Sequence, residues 1–222
     1  SKGKRKAQIE KVQFQTAAKR TGEGWLWDIR LPNAKTFCGT ISGQAGGASE
    51  YVNGHFGFSS LNIAQLLKFA DWDAEGKPPE GQGSGWLKFT AEKKNSRWEG
   101  NWEGASLATD VIWNNLTVKV AGARAYGNLI ADERFNLQQV NGKVEGIHLL
   151  SDDGQAVLDG TISFKQGVPA LSLKGRWTGV SLRRLSRKFD LPVELKGLAE
   201  GTLQIVWDGE WKLSGTVKSQ AV

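Results

Sequence analysis

Much of the chain alternates between apolar and polar residues. Trp25, Trp27, Ile29 and Leu31 alternate with Leu26, Asp28 and Arg30, and a period of two places such a set on one face of a strand. Ile9, Val12 and Phe14, set among Glu10, Lys11, Gln13 and Gln15, predict an earlier strand from Gln8 onward, with residues 22–24 as the turn between the two. A strand carrying Phe37 and Ile41 is expected over 36–43. Others are expected at 51–58, 85–92, 97–104, 109–113 and 116–122, with Asn114-Asn115 marking a hairpin turn. Residues 123–128 lead into 138–150, where the alternation places Val140, Gly142, Val144, Gly146, His148 and Leu150 on one face. Leu158, Gly160, Ile162 and Phe164 alternate again, followed by Leu171, Leu173 and Trp177.

Helical spacing appears twice. Ile63, Leu66, Leu67 and Ala70 predict a helix over 60–70 capped by Ser59 or Ser60. Leu182, Leu185 and Phe189 form one stripe of a helix over 181–189, and Arg183, Arg184, Arg187 and Lys188 form its basic side. A basic amphipathic helix can lie on an anionic membrane or touch a partner. About a dozen short strands, tight turns and two short helices predict a mostly β fold. The expected form is an extended, curved antiparallel sheet, groove-like or open-barrel-like, since glycines inside strands mark bends and bulges.

Two passages share one order of parts. Residues 52–102 run through Gly54, Ser60-Leu61, Leu66, the pair Pro78-Pro79, Gly85 and Trp98-Glu-Gly-Asn-Trp102. Residues 171–217 run through Gly175, Ser181-Leu182, Leu185, Leu191-Pro192-Val193, Gly197, Gly201 and Trp211. Both read as strand, short helix, proline-bearing loop, glycine-opened strand, turn and strand. Leu61 falls on Leu182 and Gly54 on Gly175 at one and the same offset, which points to an internal repeat at about 50–104 and 171–217. The expected organisation is a flexible basic arm over 1–7 and one β-rich domain over 8–222.

Composition narrows the function. The 222 residues include 28 Gly, 10 Trp and 9 Phe but 5 Pro and no Met, a balance that suits β structure. The one cysteine, Cys38, cannot form an internal disulfide. No apolar run approaches the ~20 residues that span a bilayer, and the start at Ser1 suggests a mature or excised segment. The net charge of +6 is spread thinly, and no recognition motif interleaves basic and aromatic residues, so nucleic acid is not expected as a partner. His55 and His148 lack a triad context, and one Cys with two scattered His gives no metal-ligand spacing. Asp132-Glu133 and Asp152-Asp153 read as turn residues. The glycines form no phosphate-cradling loop. A non-enzyme with neither cofactor nor metal is expected.

The pattern Gly175-Arg-Trp-Thr-Gly179, Ser181-Leu182-Arg-Arg-Leu185, Leu191-Pro192-Val193, Gly197 to Gly201 and Leu203 resembles the AsmA-like superfamily of Gram-negative envelope proteins. That superfamily includes the TamB-like proteins and the type II secretion N component. The pattern covers the last third of the chain well, the middle third loosely and residues 1–49 hardly at all. The resemblance implies a curved sheet forming an apolar groove in the periplasm, where it would bind or shuttle lipid for outer-membrane biogenesis. It also implies an inner-membrane anchor in a segment that this chain lacks. Phospholipid or another acyl-chain ligand would then lie along Leu158, Ile162, Phe164, Leu171, Leu173, Leu203 and Ile205, with Trp207 and Trp211 at a rim. Arg183, Arg184, Arg187 and Lys188 would contact membrane or an envelope protein. Two alternatives stand beside this: a structural component of an assembly such as type II secretion, and a Trp-lined glycan-binding module. Most of the tryptophans are expected in a core.

Overall fold

A computed structural model describes residues 9–22, 24–69, 79–113, 116–152, 154–165, 168–188, 192 and 196–220. The expected arm over 1–7 and the turn residues Asn114 and Asn115 lie outside them. Among the described residues the fold is a single fourteen-stranded antiparallel sheet with two short helices. The strands are β1 (Ile9–Thr21), β2 (Gly24–Thr36), β3 (Gly39–Gly47), β4 (Tyr51–Asn62), β5 (Glu80–Lys94), β6 (Arg97–Ser106), β7 (Thr109–Trp113), β8 (Leu116–Val120), β9 (Ala123–Asp132), β10 (Leu137–Ser151), β11 (Gly154–Lys165), β12 (Val168–Ser181), β13 (Leu198–Trp207) and β14 (Trp211–Gln220). The helices are α1 (Ile63–Phe69) and α2 (Leu182–Lys188).

Twelve strands lie side by side in chain order, except that β9 follows β6 directly. The β7–β8 hairpin stands off this path, joined to the start of β5 and the end of β10. The sheet curves into a ring-like form whose two ends are β1 and β14. It is mostly β and curved, as the alternation and the strand glycines imply, and most strands outrun their sequence signatures, although β8 is shorter than its expected span.

Curvature has local causes. Bulges interrupt the register between Phe58 and Leu61, Val144 and Ile147, and Trp177 and Val180, and a bulge bends its strand and raises the local twist. Each contains one left-handed residue: Ser60, Gly146 and Gly179, with φ of 52°, 66° and 70°. The bulge at Gly146 is pinned from the neighbouring strand, where Asp159 Oδ1 accepts a hydrogen bond from the Gly146 backbone N–H at 2.7 Å. This bulge overturns the expected single face for residues 140–150. Ile147 and Leu149 join Val144 on the apolar face and pack with it, whereas His148 and Leu150 turn to the other side.

Two further expectations change. Phe37 and Cys38 occupy the turn between β2 and β3, because Thr36 pairs directly with Gly39. The cap of α1 is Asn62 rather than Ser59 or Ser60: its Oδ1 accepts from Gln65 N at 3.0 Å, while Ser60 is used in the bulge. Each helix follows a bulged strand, so β4-α1-β5-β6 and β12-α2-β13-β14 share one order of elements. Six antiparallel steps separate β4 from β12, so they run in the same direction and both helices sit at one end of the sheet, with the β7–β8 hairpin.

Candidate functional site: the two faces of the sheet

Register fixes which side chains share a face. One row crosses the sheet as Ile29, Ala45, Gly54, Phe89, Trp102, Gly127, Gly142, Ile162, Leu171 and Trp207, ending at Trp211 on β14. The next contains Leu31, Phe56, Leu87, Ala125, Val144, Leu173, Ile205 and Leu213, with Gly43, Gly104 and Gly160 between them. This is a continuous apolar face. Large side chains alternate with glycines across neighbouring strands, so the rings lie flat over them. A Cβ on Gly142 would sit 2.3 Å from Trp102 Cζ2, and one on Gly54 2.4 Å from Phe89 Cε1.

The candidate groove residues Leu158, Ile162, Phe164, Leu171, Leu173, Leu203, Ile205 and Trp207 all belong to this face. Trp211 shares their register, although its side chain lies outside the described residues. Leu158, Leu173 and Val144 are buried together, with Leu171, Leu203 and Ile205 half-buried against them. Val52, Ala91, Trp98 and Ala131 form a second cluster. The burial is partial. Leu158 is the largest side chain fully buried among the described residues, while Ile162 stays 37% and Leu213 73% exposed.

The tryptophans correct the expectation of a core for most of them. Trp98 is buried, Trp25 is 57% exposed, and Trp27, Trp86, Trp102, Trp177 and Trp207 are half-buried. The physical reason is that a one-layer sheet gives its aromatics no second layer to bury them. Trp98 owes its burial to the β9–β10 turn, which stacks Phe135 on it with ring centroids 4.3 Å apart. Asp132 holds that turn by accepting from Arg134 N, Asn136 N and Asn136 Nδ2 at 2.8–2.9 Å. These bonds, that from the Asn136 side chain foremost, hold the Asp132 carboxyl below its ordinary value of 3.8. A depressed carboxylate contributes stability above its unfolded pKa and loses it as pH falls through the folded one. The Asn136 amide should therefore lose hydrogen-exchange protection on acidification below 3.8, and Asp132→Asn should remove that dependence. Protection unchanged down to about pH 2 would contradict this.

Arg183, Arg184 and Arg187 are exposed on α2, as expected of its basic side, Leu182 is half-buried, and among the described side chains of the helix Ser186 is buried. Arg184 Nη1 donates to the Asp152 carbonyl at 2.7 Å and so ties α2 to the β10–β11 turn. The side chains of Leu185 and Lys188 lie outside the described residues, as does Phe189.

The opposite face is more polar and contains two adjoining depressions, the second of which also reaches Phe89, Trp102 and Gly127. One is lined by Tyr51, Thr90, Glu92, Glu99, Asn101 and Asn128, and its neighbour by Lys88, Thr90, Asn101, Glu103, Tyr126 and Asn128. Tyr126 donates its phenolic hydrogen to Glu145 Oε1 at 2.6 Å, which holds the phenol above its ordinary value of 10.0. Sequence reasoning missed this face because its residues come from five separate strands. Among the described residues, no group of three or more His, Cys, Asp or Glu side chains could hold a metal ion, and no helix is long and apolar enough to cross a membrane.

No family model, curated protein or solved structure matches the chain.

Proposed function

We propose that the apolar face is a non-catalytic binding surface for acyl chains, in a protein that binds or shuttles lipid in a bacterial envelope. One observation carries the reading: among the described residues the apolar face has no second layer. A compact protein of 24.2 kDa exposes roughly 10,000 Å², whereas this chain exposes 15217 Å². On the apolar face itself Leu87, Ile162 and Leu213 stay 38%, 37% and 73% exposed, and a large exposed apolar surface marks an interaction site. Acyl chains laid along it gain about 0.8 kcal/mol per buried CH₂, and head groups remain outside without dedicated chemistry. The periplasmic setting and the inner-membrane anchor rest on the AsmA-like resemblance alone.

The fluorescent apolar probe N-phenyl-1-naphthylamine should brighten on binding the protein and be displaced by palmitate. A probe that stays dim, or that palmitate leaves in place, would count against the proposal.

A second reading has its own observation. The sheet ends in two strands, β1 and β14, of 13 and 10 residues, and Leu213 and Val217 on β14 are 73% and 69% exposed. Such an edge can pair with a strand of an assembly partner.

A further inference from the structure

On the polar face, one register row runs Asn53, Thr90, Asn101, Asn128 and Asn141 across the five adjacent strands β4, β5, β6, β9 and β10. Asparagine is depleted in strands, and a solvated strand position is satisfied by Thr, Ser or Lys. Four asparagines aligned in one row inside strands are therefore not explained by the sheet. All five side chains are exposed, and the four amides have no protein hydrogen-bond partner among the described residues. The two adjoining depressions share Thr90, Asn101 and Asn128, and each contains one tyrosine, Tyr51 or Tyr126.

Most of the charges around the row are engaged, the exception being Lys143, which is exposed on β10 in register with Tyr126. Arg124 pairs with Glu103 at 3.2 Å, Arg97 Nε donates to Glu99 at 2.6 Å, and Lys88 lies 4.9 Å from the Trp86 ring centroid. What faces outward along the row is a line of neutral amides between two tyrosines. Each amide offers a donor and an acceptor, as the Thr90 hydroxyl does, and neighbouring strands place one such polar group about every 4.8 Å, close to the repeat of an extended pyranose chain.

We infer that this face binds a neutral polysaccharide laid across the strands, its hydroxyls on the amides and its ring faces against Tyr51 and Tyr126. An anionic polymer would meet Lys143 as a lone exposed cation rather than a positive row, and an acyl chain would strand the amides. The site is independent of the lipid reading, because it lies on the other side of the sheet.

The test is calorimetric titration of the full chain with chitohexaose and cellohexaose, with heparin as the charged comparison. Binding of at least one neutral hexamer is expected, weakened about tenfold or more by Asn101→Thr with Asn128→Thr and unchanged by Ile162→Asp on the apolar face. Threonine favours strands, so the double variant should melt like the parent. If it does not fold, Asn141→Thr at the border of the row makes the same test. The inference is overturned if neither hexamer binds, if heparin alone binds, or if the threonine variants bind as the parent does.

Discussion

Gly142→Val should lower stability by about 3 kcal/mol, which for a chain of this size is a drop in Tm of roughly 6–12 °C. The indole of Trp102 pairs in register with Gly127, and Gly127 pairs with Gly142. The ring therefore lies across two strands that present no side chain there. A Cβ at Gly142 would meet Trp102 Cζ2 at 2.3 Å and the Tyr126 carbonyl oxygen at 3.0 Å. Trp102 cannot simply swing away without losing the hydrogen bond from its Nε1 to the Asn141 carbonyl at 3.3 Å. Gly22→Ala is the matched control, because a Cβ there meets nothing within 4 Å, and it should change stability by about 0.5 kcal/mol or less. Equal melting of the two variants would show that ring-over-glycine packing does not organise the apolar face.

The second large effect concerns binding. Ile162→Asp should weaken the apolar probe about tenfold or more, because a carboxylate beside an acyl chain must either shed its water or keep the chain away. Ile162 sits in the middle of the lane between Gly142 and Leu171. At 37% exposure it can take a charge with a loss of only about 1–2 kcal/mol in stability. Unchanged probe affinity in a folded variant would place the ligand elsewhere.

The fold was legible in the sequence where period-two alternation ran unbroken. Trp25 to Leu31 and Leu158 to Phe164 each gave a strand and its apolar side, and Ser181 to Lys188 gave a helix next to its strand. Alternation failed at Gly146, because one left-handed residue reverses the parity of everything after it, and nothing in Val144-Glu-Gly-Ile-His distinguishes a bulge from a regular strand. It failed again at Ser60, whose role in a bulge shifted the helix start to Asn62. The lane residues could be named because they are consecutive in the pattern. The amide row could not, since Asn53, Asn101, Asn128 and Asn141 become neighbours only through four separate strand registers.

The expectation that tryptophans fill a core erred for a related reason. Composition counts apolar side chains but not layers, and one layer leaves Trp25 exposed and Trp86 and Trp102 half-buried. The same shortage of layers leaves the apolar face uncovered among the described residues.

The most direct measurement is native mass spectrometry of detergent-free protein purified from a bacterial host, with organic extraction of what it carries. The account predicts a bound population heavier by one or a few phospholipids or fatty acids, with the same lipids in the extract and the added mass lost in Ile162→Asp. A clean apo mass that stays apo after incubation with liposomes would contradict it.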